Sequence, residues 1–294
     1  MKNKLLILSA VTLFLVLTLG MVSAWGPNTH YYIVKQALER SPDTLTKQII
    51  ENNWNDCLAG IQYPDVGIFE YYTNFKDYQA LHNYNAVEKM LTLAKDDGDR
   101  AFIYCFKMHL AADAVSHNYY VPGRITSTKL PNYLVHPITE LKIEGYYLDP
   151  SGNNVGNRLM ENHAEYDWIV TQATGRDWSE EATKLNTIMG GGQFYDNAYT
   201  PKSVQAFASL QNTFYKVLKI VVPEKTGKEY IEKAIKEDMR VLAGETPTLD
   251  PSGEKSLRQS DSETKIWLYI ISFVVIAAIF LLSFKFGILG KGRK

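Results

Sequence analysis

Apolar residues recur along the chain at intervals of three and four, the rhythm of amphipathic helices, and no β-branched run alternates with a period of two. The segment WGPNTHYYIVKQALER opens the pattern: Pro27 lies near a helix start, Asn28 or Thr29 can cap it, and Tyr32, Ile33 and Leu38 are core positions. Ser41-Pro42-Asp43 breaks the chain and caps a second helix carrying Leu45, Ile49 and Ile50. A loop is expected through Gly60 to Tyr63-Pro64-Asp65-Val66-Gly67. Helices follow over 86–94 and 100–119, the second ended by Pro122-Gly123. Residues 131–146, 155–168, 204–221 and 230–242 repeat the helical pattern, with Pro137 near a first turn or at a kink and Gly190-Gly191-Gly192 in a loop. The expected fold class is all-α.

Both ends of the chain break this pattern. Lys2 and Lys4 precede an apolar run over 5–22 that closes with Val22-Ser23-Ala24, the layout of a secretory signal cleaved after Ala24. Cleavage there makes Trp25 the first residue. Residues 266–284 (IWLYIISFVVIAAIFLLSF) form an apolar run long enough to cross a bilayer, followed by Lys285, Lys291, Arg293 and Lys294. The expected organisation is a signal over 1–24, a helical domain over 25–243, a polar linker over 244–265, a membrane span over 266–284 and a basic cytoplasmic tail over 285–294. The domain then lies outside the cell on a single-pass anchor.

Phe106 to Pro122, FKMHLAADAVSHNYYVP, holds the densest chemistry. His109, Asp113 and His117 recur at every fourth residue and so share one side of a helix. Met108, Leu110, Ala111, Ala112, Ala114 and Val115 make the rest of that helix apolar, which is the mark of a buried one. Buried His and Asp need partners, and metal ions meet that need most simply; a hydrogen-bonded polar stripe in the core is the alternative.

Of the six histidines, five are placed to be useful as ligands: His30, His82, His109, His117 and His136. Glu140 shares a helix face with His136, Asp65 sits in a loop, and His163 lies in a polar stretch that reads as surface. Imidazoles with carboxylate neighbours suit Zn²⁺ better than Mg²⁺ or Ca²⁺. Two cysteines, Cys57 and Cys105, could pair in an exported domain but do not make a disulfide framework, and Cys105 reads rather as a small buried apolar residue.

In this order the residues resemble the bacterial zinc-dependent phospholipase C family and its relatives, the zinc-dependent single-strand nucleases. That pattern is an N-terminal Trp, a His, a loop Asp, a His, a His-x3-Asp helix, another His, and a final His-x3-Glu or His-x3-Asp. Trp25, His30, Asp65, His82, His109 with Asp113, His117, and His136 with Glu140 supply each type in turn. The resemblance implies an all-α fold around three zinc ions. Asp65, His82, His109 and Asp113 would hold one ion, and His117, His136 and Glu140 a second. The α-amine and carbonyl of Trp25 would hold the third with His30 and the shared Asp113. The chain departs from the family in one respect: His117 follows Asp113 by four residues where six is usual, which keeps it on the Asp113 face of an unbroken helix.

Three Zn²⁺ against three carboxylates leave a net charge of about +3, which attracts a phosphodiester. The expected reaction is attack of a zinc-bound hydroxide on phosphorus, with Asp65 orienting it or accepting its proton. Phospholipid is the expected substrate, because the last ligand is Glu140 as in the phospholipase branch and the domain is tethered to a membrane. Tyr71, Tyr72, Tyr78, Tyr119 and Tyr120 could line a lipid pocket, stack bases or fill the core. A nuclease or nucleotidase on the same metal cluster is the alternative, and a non-catalytic zinc-stabilised surface protein another. The formal net charge of -1, with no basic strip interleaved with aromatics, gives no sign of a nucleic-acid surface.

Overall fold

The computed structural model describes residues 25–67, 70, 74–125, 143, 163–185 and 225–252. In chain order these form α1 (Pro27–Arg40), α2 (Leu45–Asn52), α3 (Trp54–Gln62), a 3-10 turn (Tyr63–Gly67), α4 (Phe75–Leu81) and α5 (Tyr84–Leu93). There follow α6 (Asp97–Val115), a π-helical turn (Ser116–Tyr120), α7 (Val121–Ile125), α8 (His163–Thr174), α9 (Ser179–Leu185) and α10 (Lys225–Leu242). Among the described residues there is no strand, as the helical rhythm implies. The expected signal, the helix over 204–221, the span over 266–284, the basic tail and, apart from Ile143, the helix over 131–146 lie outside the described residues. No helix among those described is long and apolar enough to cross a membrane.

The longest element, α6, organises the rest. Asp96 caps it by accepting from the Asp99 amide at 2.9 Å, and Asp97 and Asp99 place negative charge on its first turn. Beyond that turn the helix is apolar on nearly every side, so it must be covered on nearly every side. One flank, with Cys105, Met108, Ala111, Ala112 and Val115, packs against Ile33, Val34 and Ala37 of α1 and Ile231, Ala234 and Ile235 of α10. The other, with Phe102, Ile103, Phe106 and Leu110, meets Val87 and Met90 of α5 and Ile169 and Val170 of α8. Each fully buried side chain of this size contributes about 1.5–3 kcal/mol. Two cores therefore share one helix.

Helix α3 crosses α6 at very short range. A Cβ at Gly60 would lie 2.1 Å from the Phe102 carbonyl oxygen, so only glycine fits there. Gly60 thus serves a helix crossing and not the expected loop; α3 runs on to Gln62. Cys57 and Cys105 form a disulfide across the same crossing, with Cα atoms 5.1 Å apart. This corrects the reading of Cys105 as a plain apolar residue: its partner is far away in sequence and only the crossing brings the two together.

The helix after Asp113 does not run on unbroken. At Ser116 it widens into a π-helical turn and then resumes as α7. Pro122 does not end it as expected: it is the second residue of α7, directly after the π-helical turn. At the far end, α10 closes with a Schellman motif, the Glu245 amide donating to the Arg240 carbonyl at 2.9 Å with Gly244 at φ +82°. The polar segment beyond, the start of the expected linker, is seated on the π-helical turn as far as Ser252. Asn118 Nδ2 donates to the Asp250 carbonyl at 2.7 Å, and Ser252 is buried.

Replacing Gly60 with Ala should cost about 1–3 kcal/mol, because backbone and not a movable side chain occupies the space of the new methyl. Chemical denaturation would report the loss; an unchanged midpoint would contradict this crossing.

Candidate metal centre

Three imidazoles close on the carboxylate of Asp113, and a second carboxylate, Asp65, stands beside one of them. His109 lies one turn earlier on α6, and its Nε2 is 3.1 Å from Asp113 Oδ2. His30, near the start of α1, brings its Nε2 to 3.1 Å from Oδ1. His82, just past the end of α4, brings its Nε2 to 3.2 Å from Oδ2. Asp65, in the 3-10 turn, places Oδ1 3.8 Å from His109 Nε2. His30, His82, His109 and Asp113 are buried completely or almost so, and Asp65 retains 6% exposure. The His30 and His109 rings stack with centroids 3.8 Å apart, and the Tyr78 ring stacks on His82 at the same distance.

Backbone carbonyls decide how the imidazoles point. His109 Nδ1 donates to the Ile61 carbonyl at 2.6 Å, and His117 Nδ1 to the Pro251 carbonyl at 2.7 Å. His82 Nδ1 lies 3.3 Å from the Tyr78 carbonyl. A carbonyl only accepts, so in each case Nδ1 carries the hydrogen and a neutral ring keeps its lone pair on Nε2. This is the arrangement by which metal-binding histidines are held.

The Nε2 atoms of His30, His82 and His109 sit at hydrogen-bonding distance from Asp113. Yet among the described residues neither they nor either Asp113 oxygen makes a hydrogen bond of acceptable angle. Short distances with poor angles mean that these atoms converge on a common point and do not pair with one another. Two ligands of one tetrahedral zinc with bonds of about 2.0–2.1 Å are themselves about 3.3 Å apart. A ring nitrogen of His30, one of His109 and an Asp113 oxygen all fall within 4.8 Å of one another. Donor types, burial and the orphaned atoms all fit a zinc ion.

Charge follows the same logic. Burial, and then the neighbouring His109, push the His30 pKa down to about 4. Burial likewise lowers that of His82. Burial also acts downward on His109, but Asp113 and Asp65 outweigh it and raise it to about 9. Asp113, despite its burial, is held well below the usual carboxylate range by His109 and the other imidazoles. The metal-free centre thus stores one anion on Asp113 and one proton on His109, with the other two rings neutral.

Of the residues expected from sequence, His30, Asp65, His82, His109 and Asp113 come together. Trp25 is fully buried beside them, its ring centroid 6.4 Å from that of His30 and 6.2 Å from that of Tyr120. His117 is buried on the π-helical turn, close enough for its charge to act on His30 and His82. His136 and Glu140 lie outside the described residues, and His163 opens α8. Tyr119 is exposed beneath the Lys233 ammonium, whereas Tyr78 and Tyr120 back His82 and Trp25. Tyr71 and Tyr72 fall outside the described residues. The carbonyls of Ile61, Tyr78 and Pro251 are not legible in the sequence, because backbone acceptors leave no residue-type signal.

No curated protein and no solved structure matches the chain. The family model described as zinc dependent phospholipase C matches residues 29–245, which spans every described helix from α1 to α10 apart from the first residues of α1. The histidine and aspartate cluster lies inside that match, and the chain belongs to the zinc-dependent phospholipase C family, a zinc-dependent phosphodiesterase by descent and by the donors gathered around Asp113.

Proposed function

We propose that the protein is a membrane-anchored extracellular phospholipase C that hydrolyses phospholipids to release phosphorylated head groups. The observation that carries this reading is the buried cluster in which three imidazoles converge on Asp113 within a phospholipase C family domain. Three zinc ions are proposed: one on Asp65, His82, His109 and Asp113, one on His117, His136 and Glu140, and one on Trp25, His30 and Asp113. The bound ions supply positive charge for the phosphate oxygens and lower the pKa of water.

The side chains do the rest. Asp113 neutralises part of the metal charge from the interior and ties α6 to α1 and to the end of α4. Asp65 is the cluster carboxylate with residual exposure. A group that accepts a proton from the attacking water must return it to solvent, so Asp65 suits that role and the sealed Asp113 does not. Tyr78 and Tyr120 are buried against His82 and Trp25, which favours a wall of the metal pocket over base stacking and supports a lipid over a nucleic acid. The leader over 1–24 fits the same reading: cleavage after Ala24 would free the Trp25 amine as a ligand, while 266–284 would hold the domain at the outer membrane face with 285–294 inside.

Protein beginning at Trp25 should hydrolyse phosphatidylcholine and leave single-stranded DNA intact. One extra residue ahead of Trp25 should remove about one zinc and lower kcat/KM roughly a hundredfold, as loss of a metal-site group does. Cleavage of DNA alone would replace the lipid reading with the nuclease; zinc without turnover on either would leave a binding protein.

The stored proton gives a second expectation. Below about pH 9 zinc must displace it from His109, so zinc affinity should rise with pH across the neutral range and uptake should release protons. Calorimetry in buffers of different ionisation enthalpy measures this directly; affinity that falls as pH rises would contradict it.

A further inference from the structure

Helix α10 carries a buried stripe at helical spacing, with Ile231, Ala234, Ile235, Val241 and Leu242 in the core shared with α1 and α6. In the middle of that stripe stands Asp238, fully buried. Neither of its carboxylate oxygens has a hydrogen-bond partner among the described residues. No arrangement of an isolated carboxylate suits such a place. Ionised, it is an uncompensated charge in a dry core; protonated, it owns an O–H that needs an acceptor and has none there.

The surroundings sharpen the contradiction. Helix α10 packs on α6, on α1 and on the π-helical turn, the elements that carry His109, Asp113, His30 and His117. Burial raises the Asp238 pKa well above the usual carboxylate range, and among the described residues Glu237 and Asp113, both negative, push it the same way. Other buried polar atoms on the same elements also lack partners among the described residues: Ser116 Oγ on the π-helical turn and His30 Nδ1 on α1. A buried, unpartnered carboxylate on a helix packed against the elements that carry Asp113, His109, His30 and His117 is stabilised by a bound cation.

We propose that Asp238 is a zinc-binding carboxylate of the metal centre, brought in by the C-terminal helix to share an ion with Asp113. The inference rests on the metalloenzyme reading above and adds to it a ligand from the half of the chain where no motif falls. It also gives α10 a second role, because the helix closes the back of the centre as well as covering α6.

The test uses the full-length protein and its Asp238→Asn and Asp238→Leu variants, with zinc counted by mass spectrometry and thermal unfolding followed with and without chelator. Both variants should hold about one zinc fewer per chain, or bind it at least tenfold more weakly, and the rise in Tm on adding zinc should shrink. With zinc removed, Asp238→Leu should unfold no earlier than the wild type, since leucine completes the apolar stripe; this shows that the variant folds. Wild-type zinc content and affinity in both variants would overturn the inference and leave the metal centre standing. A wild-type protein that binds no zinc would overturn both.

Discussion

One buried carboxylate governs this structure. Asp113 lies on a helix covered by two cores and faces three imidazoles delivered by three different stretches of chain. Burial alone would drive its proton on, and the imidazoles together keep it ionised. The arrangement is costly without a metal, because the imidazole Nε2 atoms and carboxylate oxygens are buried together and make no good hydrogen bonds among the described residues. The fold holds a set of donors in a strained truce that a cation resolves.

Much of the scaffold exists to keep those donors from relaxing. Gly60 and the Cys57–Cys105 disulfide press α3 onto α6, and the end of α3 then offers the Ile61 carbonyl that turns His109. The segment after α10 folds back so that Pro251 does the same for His117. Tyr78 serves His82 twice, with its carbonyl near Nδ1 and its ring against the imidazole. A hydrolase whose water must be activated at a fixed point needs this rigidity, since small errors in ligand placement weaken both metal binding and alignment.

The sequence is a good guide where chemistry and periodicity coincide. His109 and Asp113 are legible because a four-residue spacing has one meaning on a helix, and the all-round apolar character of α6 announces its burial. His30, His82 and Asp65 carry no such local signal; resemblance to the family singles them out. The pairing of Cys57 with Cys105 stays open in the sequence because it depends on a crossing between distant helices. The π-helical turn stays hidden because the His117 spacing is also that of a regular α-helix. Asp238 does leave a trace, a carboxylate where the stripe of Ile231, Ala234, Ile235, Val241 and Leu242 calls for an apolar residue.

The most direct test of the central claim is a crystal structure of the zinc-loaded protein with anomalous scattering recorded across the zinc absorption edge. A peak within bonding distance of Asp113, with Nε2 of His109 and Nε2 of His30 or His82 completing its sphere, is the predicted result. Zinc bound elsewhere, with the three imidazoles around Asp113 empty, would contradict the account.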